Sequence, residues 1–170
     1  MLFESERLTY RNLTNYDKDF YCTLYSDDAL MRFIEIDNAD SKVEHYFENT
    51  LQVINKPKPK YKLLVIEQKQ PSIPLGVMGL DNIDYSQSTA DLGIILTRLA
   101  QGKNIPYEAT VATLKYLFDT LNIQHVSTSF QTKNKPILRL VERIGFKKVQ
   151  KTDKNQNAPH FTYTISKQRL

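Results

Sequence analysis

"ADLGIILTRLAQGKNIPYEATVATLKYLF", residues 90–118, is the stretch on which the fold turns. Its first part, "ADLGIILT", is a short apolar run bounded by loop residues and reads as a strand. Its last part sets Val111, Leu114, Leu117 and Phe118, with Leu121 beyond, on one stripe at helical intervals, which predicts a helix packed on a sheet. Between them, "QGKNIPYEA" (101–109) carries strand into helix. The first amides of a helix have no intrahelical partner and sit at the positive end of its macrodipole, so such a loop is a natural anion site. Pro106 suits a first helical turn and pushes Ile105 towards extended backbone. The N–H groups of Gln101, Gly102, Lys103, Asn104 and Ile105 then remain available as donors. Asn104 tolerates positive φ, although its Cβ limits close approach where a glycine would not. The plain alternative is a loop whose proline merely starts a helix.

Working outward, "ERLTYRNL" alternates Leu8, Tyr10 and the stem of Arg7 with polar neighbours and reads as a strand. "TNYD" offers cap residues before "KDFYCTLYSDDALMRFI", where Phe20, Leu24, Ala29, Leu30 and Phe33 predict two helical pieces broken around Ser26 to Asp28. "SKVEHYFENTLQVIN" lines Val43, Tyr46, Phe47, Leu51 and Ile54 on one helical face and stops at the Pro-Lys-Pro that follows. "YKLLVIEQ", "PLGVMGLDNI" and "TADLGIILTR" then predict three antiparallel strands, with "QKQPSIP" and "DYSQS" as hairpin loops. After the central helix come a strand "IQHVSTSFQ", a helix from about Pro136 that ends at Gly145, and closing strands in "FKKVQ" and "HFTYTIS". Residues 151–159 read as a surface loop. The strands on either side of Tyr107–Asn122 should be parallel neighbours with the helix crossing over.

Length and composition set the frame: 170 residues suit a single domain, 1–170, and 41% hydrophobic residues with ten Tyr and eight Phe predict a folded core. No apolar run is long enough to span a bilayer, and the lone Cys22 reads as a small hydrophobe, so a cytoplasmic protein without membrane attachment is expected. No Cys/His cluster argues for a metal. A formal charge of +4 favours anionic ligands without the basic platform of a nucleic-acid binder, so no nucleic-acid partner is expected. His45, His125 and His160 read as surface or strand-end residues.

"FESERLTYRNLT", "LGVMGLDNID", "ADLGIIL", "QGKNIPYEA" and "NKPILRLVERIGFKKV" occur in the order and spacing of the GNAT N-acetyltransferases. The chain resembles that superfamily over about residues 3 to 150, most closely the ribosomal-protein N-terminal acetyltransferase branch. The resemblance implies a mixed α/β fold, a GNAT-like splayed mixed β-sheet of about six or seven strands with helices on both faces, and acetyl-CoA in the gap. It implies that Ile94, Ile95 and Leu96 pair with the pantetheine, that residues 101–105 hold the diphosphate, and that Asn134 touches the cofactor. In the family that loop runs Gln or Arg, two variable residues, Gly, one variable residue, then Gly or Ala. Gln101 fits; Asn104 and Pro106 depart, which makes the loop a degenerate one.

Relatives commonly place a serine three residues after the asparagine matching Asn134, suited to protonating the departing thiolate; Ile137 cannot do that. Asp91 stands nearest the position of the family's carboxylate base. The demand for a base depends on the acceptor: an α-amino group of pKa about 7.8 is roughly a quarter neutral near pH 7.4, a lysine-type amine of pKa about 10.4 only about a thousandth. The expected partners are thus acetyl-CoA and a primary amine, from a protein N-terminus or a small amine, and a homodimer is compatible with the sequence. The alternative is a GNAT-like module that binds or regulates without turnover.

Overall fold

The computed structural model describes residues 1–34, 40–56, 58–149 and 159–170. In chain order these form β1 (Phe3–Glu4), β2 (Leu8–Asn12), α1 (Lys18–Tyr25), α2 (Asp28–Met31), α3 (Asp40–Ile54), β3 (Lys62–Gln68), β4 (Ile73–Asp84) and β5 (Thr89–Leu96). Then follow α4 (Ile105–Lys115), β6 (His125–Gln131), α5 (Lys135–Ile144), β7 (Lys147–Val149) and β8 (His160–Ser166). The strands make one sheet in the order β1-β2-β3-β4-β5-β6-β8-β7, and only β5 and β6 run parallel. That parallel pair is the crossover expected from the central helix. The sheet has eight strands rather than six or seven because Phe3–Glu4 folds back on Thr9 and Tyr10, a two-residue strand too short to show a period.

Alternation along the strands decides which helices cover which face. Leu64 and Ile66 of β3, Met78 and Leu80 of β4 and Leu92 of β5 point to one side, where they are buried under α4 and α5. Leu63, Val65, Val77 and Ile95 point to the other, under α1 and α3. Covered on both faces, these strands read as nearly continuous apolar runs. The α1 contact is made by Tyr21, Leu24 and Tyr25, with Phe20 at its margin; Ala29 is exposed, contrary to its place in the predicted stripe. Fully buried Leu114 and Leu117 anchor the central helix, and truncating either to Ala should cost about 2–5 kcal/mol.

Near the central loop the local geometry differs from the reading of the sequence. Thr97 is followed by a 3-10 turn, Arg98–Ala100, and the helix begins at Ile105, not after it. Ile105 is therefore helical and buried: its side chain gains more from the core than Pro106 takes away by disfavouring helical backbone before it. The helix continues past Lys115 as one wider turn, Tyr116–Thr120. Gly145, at φ 106°, ends α5 with its N–H on the carbonyls of Val141 and Glu142, as expected of a left-handed terminator. The expected helix stop at Pro57, the end of the "FKKVQ" strand at Gln150 and most of the 151–159 loop lie outside the described residues.

Candidate active site

A parallel pair of strands should continue hydrogen bonding for as long as both remain extended. Here β5 and β6 pair only at Thr89↔His125, Ala90↔Val126 and Asp91↔Ser127. Beyond that rung β5 keeps β4 as its neighbour up to Gly76↔Leu96, and β6 keeps β8 up to Gln131↔His160. Residues Leu92–Leu96 thus have an open backbone edge in the interior of a sheet. An extended ligand with amide groups is the natural partner for such an edge.

The gap is a cleft of about 390 Å3. Ile94, Ile95 and Leu96 form its floor, Gln101, Gly102 and Pro106 one wall, Asn134 and Pro136 another, and α2 with the turn after it, through Leu30, Arg32 and Phe33, covers it. Deeper in the seam, a hollow of about 20 Å3 lies between Leu92, Gly93 and Ile94 on one side and Thr128 and Ile137 on the other. A larger hollow, about 810 Å3, borders the outer flank of α4 and lacks the open strand edge.

The loop before α4 is built largely as the residue types demand. Gly102 has φ +76° and Asn104 φ +63°, so both take the left-handed conformation that glycine and asparagine tolerate best. The Gln101 N–H is taken by the Arg98 carbonyl and leaves the set of free donors. No protein acceptor among the described residues takes the N–H of Gly102, Lys103, Asn104 or Ile105, and Tyr107, at the third helical position, joins them. Five amides remain, with Tyr107 in place of Gln101.

Two arginines brace this loop from opposite sides. Arg7 donates from Nε and Nη2 to Glu108 Oε2, both at 2.7 Å, and from Nη1 to the Lys103 carbonyl at 3.2 Å. Glu108 Oε1 also accepts from the Ser5 hydroxyl at 2.7 Å and the Arg7 N–H at 2.8 Å. Burial opposes the charge on Glu108, but these donors and the guanidinium hold its carboxyl below the usual range. On the other side, Arg143 Nη1 donates to Asn104 Oδ1 at 2.8 Å and its guanidinium lies 4.2 Å from the Tyr107 ring centroid. The Asn104 side chain is thereby bonded to Arg143, and Asn104 is absent from the residues bordering the cleft. A third arginine, Arg98, reaches Asp27 at 3.1 Å, while Asp27 caps α2 through the N–H groups of Ala29 and Leu30.

The structure brings most of the sequence-selected residues together. Ile94, Ile95, Leu96, Gln101, Gly102 and Asn134 border the cleft; Lys103 and Asn104 complete the loop behind it, and Ile105 is the first residue of the helix. Asn134 also caps α5, accepting from the Ile137 N–H at 3.4 Å. Asp91 occupies the last paired rung, where the seam opens, and accepts from Asn82 Nδ2 at 2.8 Å. It borders neither the cleft nor the hollow beneath it. Residues the sequence did not single out are Arg143, Glu108, Gly76 and Thr128. Thr128 is 9% exposed and borders the deep hollow, and its hydroxyl has no hydrogen-bond partner among the described residues. Its strand position carried no signal, because any apolar residue would fit the same alternation.

An interrupted parallel seam leading to free amides at a helix start is an arrangement that suits an extended ligand with an anionic group at its end. The family model described as Acetyltransferase (GNAT) domain matches residues 7–147, and the chain belongs to that family. It is an acyl-CoA-dependent N-acetyltransferase, and acetyl-CoA is its acyl donor. The chain is 25% identical over 148 residues to the uncharacterized N-acetyltransferase p20 of Bacillus licheniformis, covering 85% of this chain and 81% of that protein. Its fold is similar to that of spermidine N-acetyltransferase from Vibrio cholerae in complex with CoA and spermine, with a TM-score of 0.82, 19% identity and coverage of 97% and 98%. A GNAT-family acetyltransferase of Bacillus anthracis is similar at a TM-score of 0.78, 20% identity and coverage of 96% of both chains. These relatives do not bear out the resemblance to the ribosomal-protein branch, since the similar structures named for a substrate are named for spermidine.

Proposed function

We propose that this enzyme acetylates the primary amine of a small molecule, with polyamines as the first class to test and a protein N-terminus as the second. The observation that supports the reading best is the open edge at Leu92–Leu96 running directly into the unpaired amides of 102–107. When bound, acetyl-CoA supplies a thioester carbonyl that a neutral amine attacks, giving an amide and a free thiol. The residues fit it: the free amides suit a diphosphate, and the open strand edge suits the two amides of the pantetheine.

The chain's own side chains then have distinct tasks. Asp91, at the mouth of the seam, accepts a proton from the incoming ammonium, directly or through a water, a step that matters most for amines near pKa 10. Thr128 offers a hydroxyl hydrogen bond in the deep hollow, where Ile137 cannot. Asn134 sets the start of α5 beside the cleft. A polyamine as acceptor is supported by the similar fold that carries CoA and spermine, and the α2 wall is where an acceptor would meet the cleft.

Two measurements test this. Acetyl-CoA at a hundred times its Kd should stabilise the protein by about 2.7 kcal/mol, read as a rise in Tm. Thiol release with spermidine, spermine and a short peptide should then be fastest with a polyamine. No thermal shift with millimolar acetyl-CoA would overturn the cradle assignment. A shift with release only from the peptide would move the acceptor to protein N-termini.

A further inference from the structure

We infer that Arg143 binds the phosphomonoester on the ribose of CoA, outside the diphosphate cradle, and so makes the enzyme selective for CoA over 3′-dephospho-CoA; the inference rests on the acetyl-CoA reading above.

The loop has two sides. Gln101, Gly102 and Pro106 border the cleft, whereas Asn104 and Tyr107 border the hollow on the outer flank of α4. A ligand whose diphosphate sits at the helix start must carry its remaining nucleotide past that start. Arg143 reaches across from α5 to this point, with Nη1 at 2.8 Å from Asn104 Oδ1 and the guanidinium 4.2 Å from the Tyr107 ring.

Three arginines of the chain pair with acids, and Arg143 differs from them, as does Arg32, which lies over the Phe33 ring with no carboxylate among the described residues. Arg7, Arg11 and Arg98 each pair with a carboxylate, at 2.7, 2.8 and 3.1 Å. Arg143 has none among the described residues: an amide oxygen and a ring face hold its orientation, and both leave its charge uncompensated. One N–H of the guanidinium is used and the others remain as a fork, the geometry that suits phosphate oxygens. A phosphomonoester carries close to two negative charges near neutral pH. An oriented, exposed and unneutralised guanidinium beside five free amides therefore matches a second anionic group on the same ligand.

The test is a pair of calorimetric titrations, CoA and 3′-dephospho-CoA, on wild type, Arg143→Ala and Arg143→Lys. Wild type should prefer CoA by about tenfold or more, as expected for charge-assisted hydrogen bonds. Arg143→Ala should bind the two ligands equally, and Arg143→Lys should keep part of the preference, having the charge without the fork. A wild type that does not discriminate, or an Arg143→Ala enzyme that discriminates as well as wild type, overturns the inference while leaving acetyl-CoA binding intact. A purely structural role for Arg143 would lower both affinities in parallel and is thereby excluded or established. Failure of wild type to bind either ligand would instead overturn the cradle itself.

Discussion

The two sides of β5 present the same backbone with opposite fates. Towards β4 the ladder runs the length of the strand, from Asp84↔Thr89 to Gly76↔Leu96; towards β6 it ends after three rungs. The closed side is held by closeness. A Cβ at Gly76 would meet the Ile95 carbonyl oxygen and stand 2.7 Å from Leu96 Cδ2 and 2.9 Å from Leu96 Cα. The open side is held by what is kept out of it, the side chains at the start of α5 and the loop braced by Arg7 and Arg143. An active site of this kind needs no special residue in the strand. It needs a ladder that stops, with its neighbour pinned firmly enough that the free edge cannot drift closed.

Breaking the closed side should have the largest effect. Gly76→Ala forces the end of β5 away from β4, and overpacking of this type costs roughly 1–3 kcal/mol. A fall in Tm should accompany loss of acetyl-CoA binding, because the displaced residues are the cleft floor. If binding survives unchanged, the pairing of β4 with Leu96 does not set the cleft.

Next is the brace. Glu108→Gln removes the charge that holds Arg7 and, through it, the Lys103 carbonyl; acetyl-CoA affinity is expected to drop about tenfold. The same variant has a signature in acid. The folded carboxyls of Glu108 and Asp17 lie below their usual range; burial opposes the charge in both, and for Asp17 the paired Arg11 and the Thr14 N–H prevail. Groups with a depressed folded pKa contribute stability above the unfolded value, near about 4, and lose it as pH falls through the folded one. Wild type should therefore lose Tm below about pH 4, and Glu108→Gln should show a shallower acid limb in the same scan.

Asp91→Asn leaves the rung with Ser127 in place and removes only the proposed base. Turnover of a polyamine is expected to fall about a hundredfold, and that of a peptide α-amine much less, since roughly a quarter of the latter is already neutral near pH 7.4. Equal losses for both acceptors would mean that Asp91 acts only through its hydrogen bond to Asn82.

The smallest change is expected from Asn104→Gly. Glycine takes φ +63° without strain, and the side chain it removes is absent from the cleft lining, so affinity for 3′-dephospho-CoA should stay within about twofold of wild type. A larger loss would show that the asparagine itself helps to hold the diphosphate.

Much of this comparison was legible in the order of residues. Strand, loop and helix across 90–118 followed from a change of period, and the parallel pairing of β5 with β6 followed from a single helix between them. The left-handed Asn104 and the cap at Asn134 were local matters of turn chemistry. What was not legible is equally specific. Ile105 was placed outside the helix because proline disfavours helical backbone before it, a local preference that burial in the core outweighed. Arg143 looked like any charge on an exposed face, and Gly76 like any glycine in a strand, because their meaning depends on what lies against them.

The sequence by itself therefore determined the elements, their order and the chemistry of the loop, since periodicity, caps and positive-φ positions involve residues a few places apart. Only the tertiary structure decided where the β5–β6 ladder stops and which side chains hold the loop open. Those contacts join Arg7 to Glu108 across 101 positions and Arg143 to Asn104 across 39, and no local pattern encodes a partner at that distance.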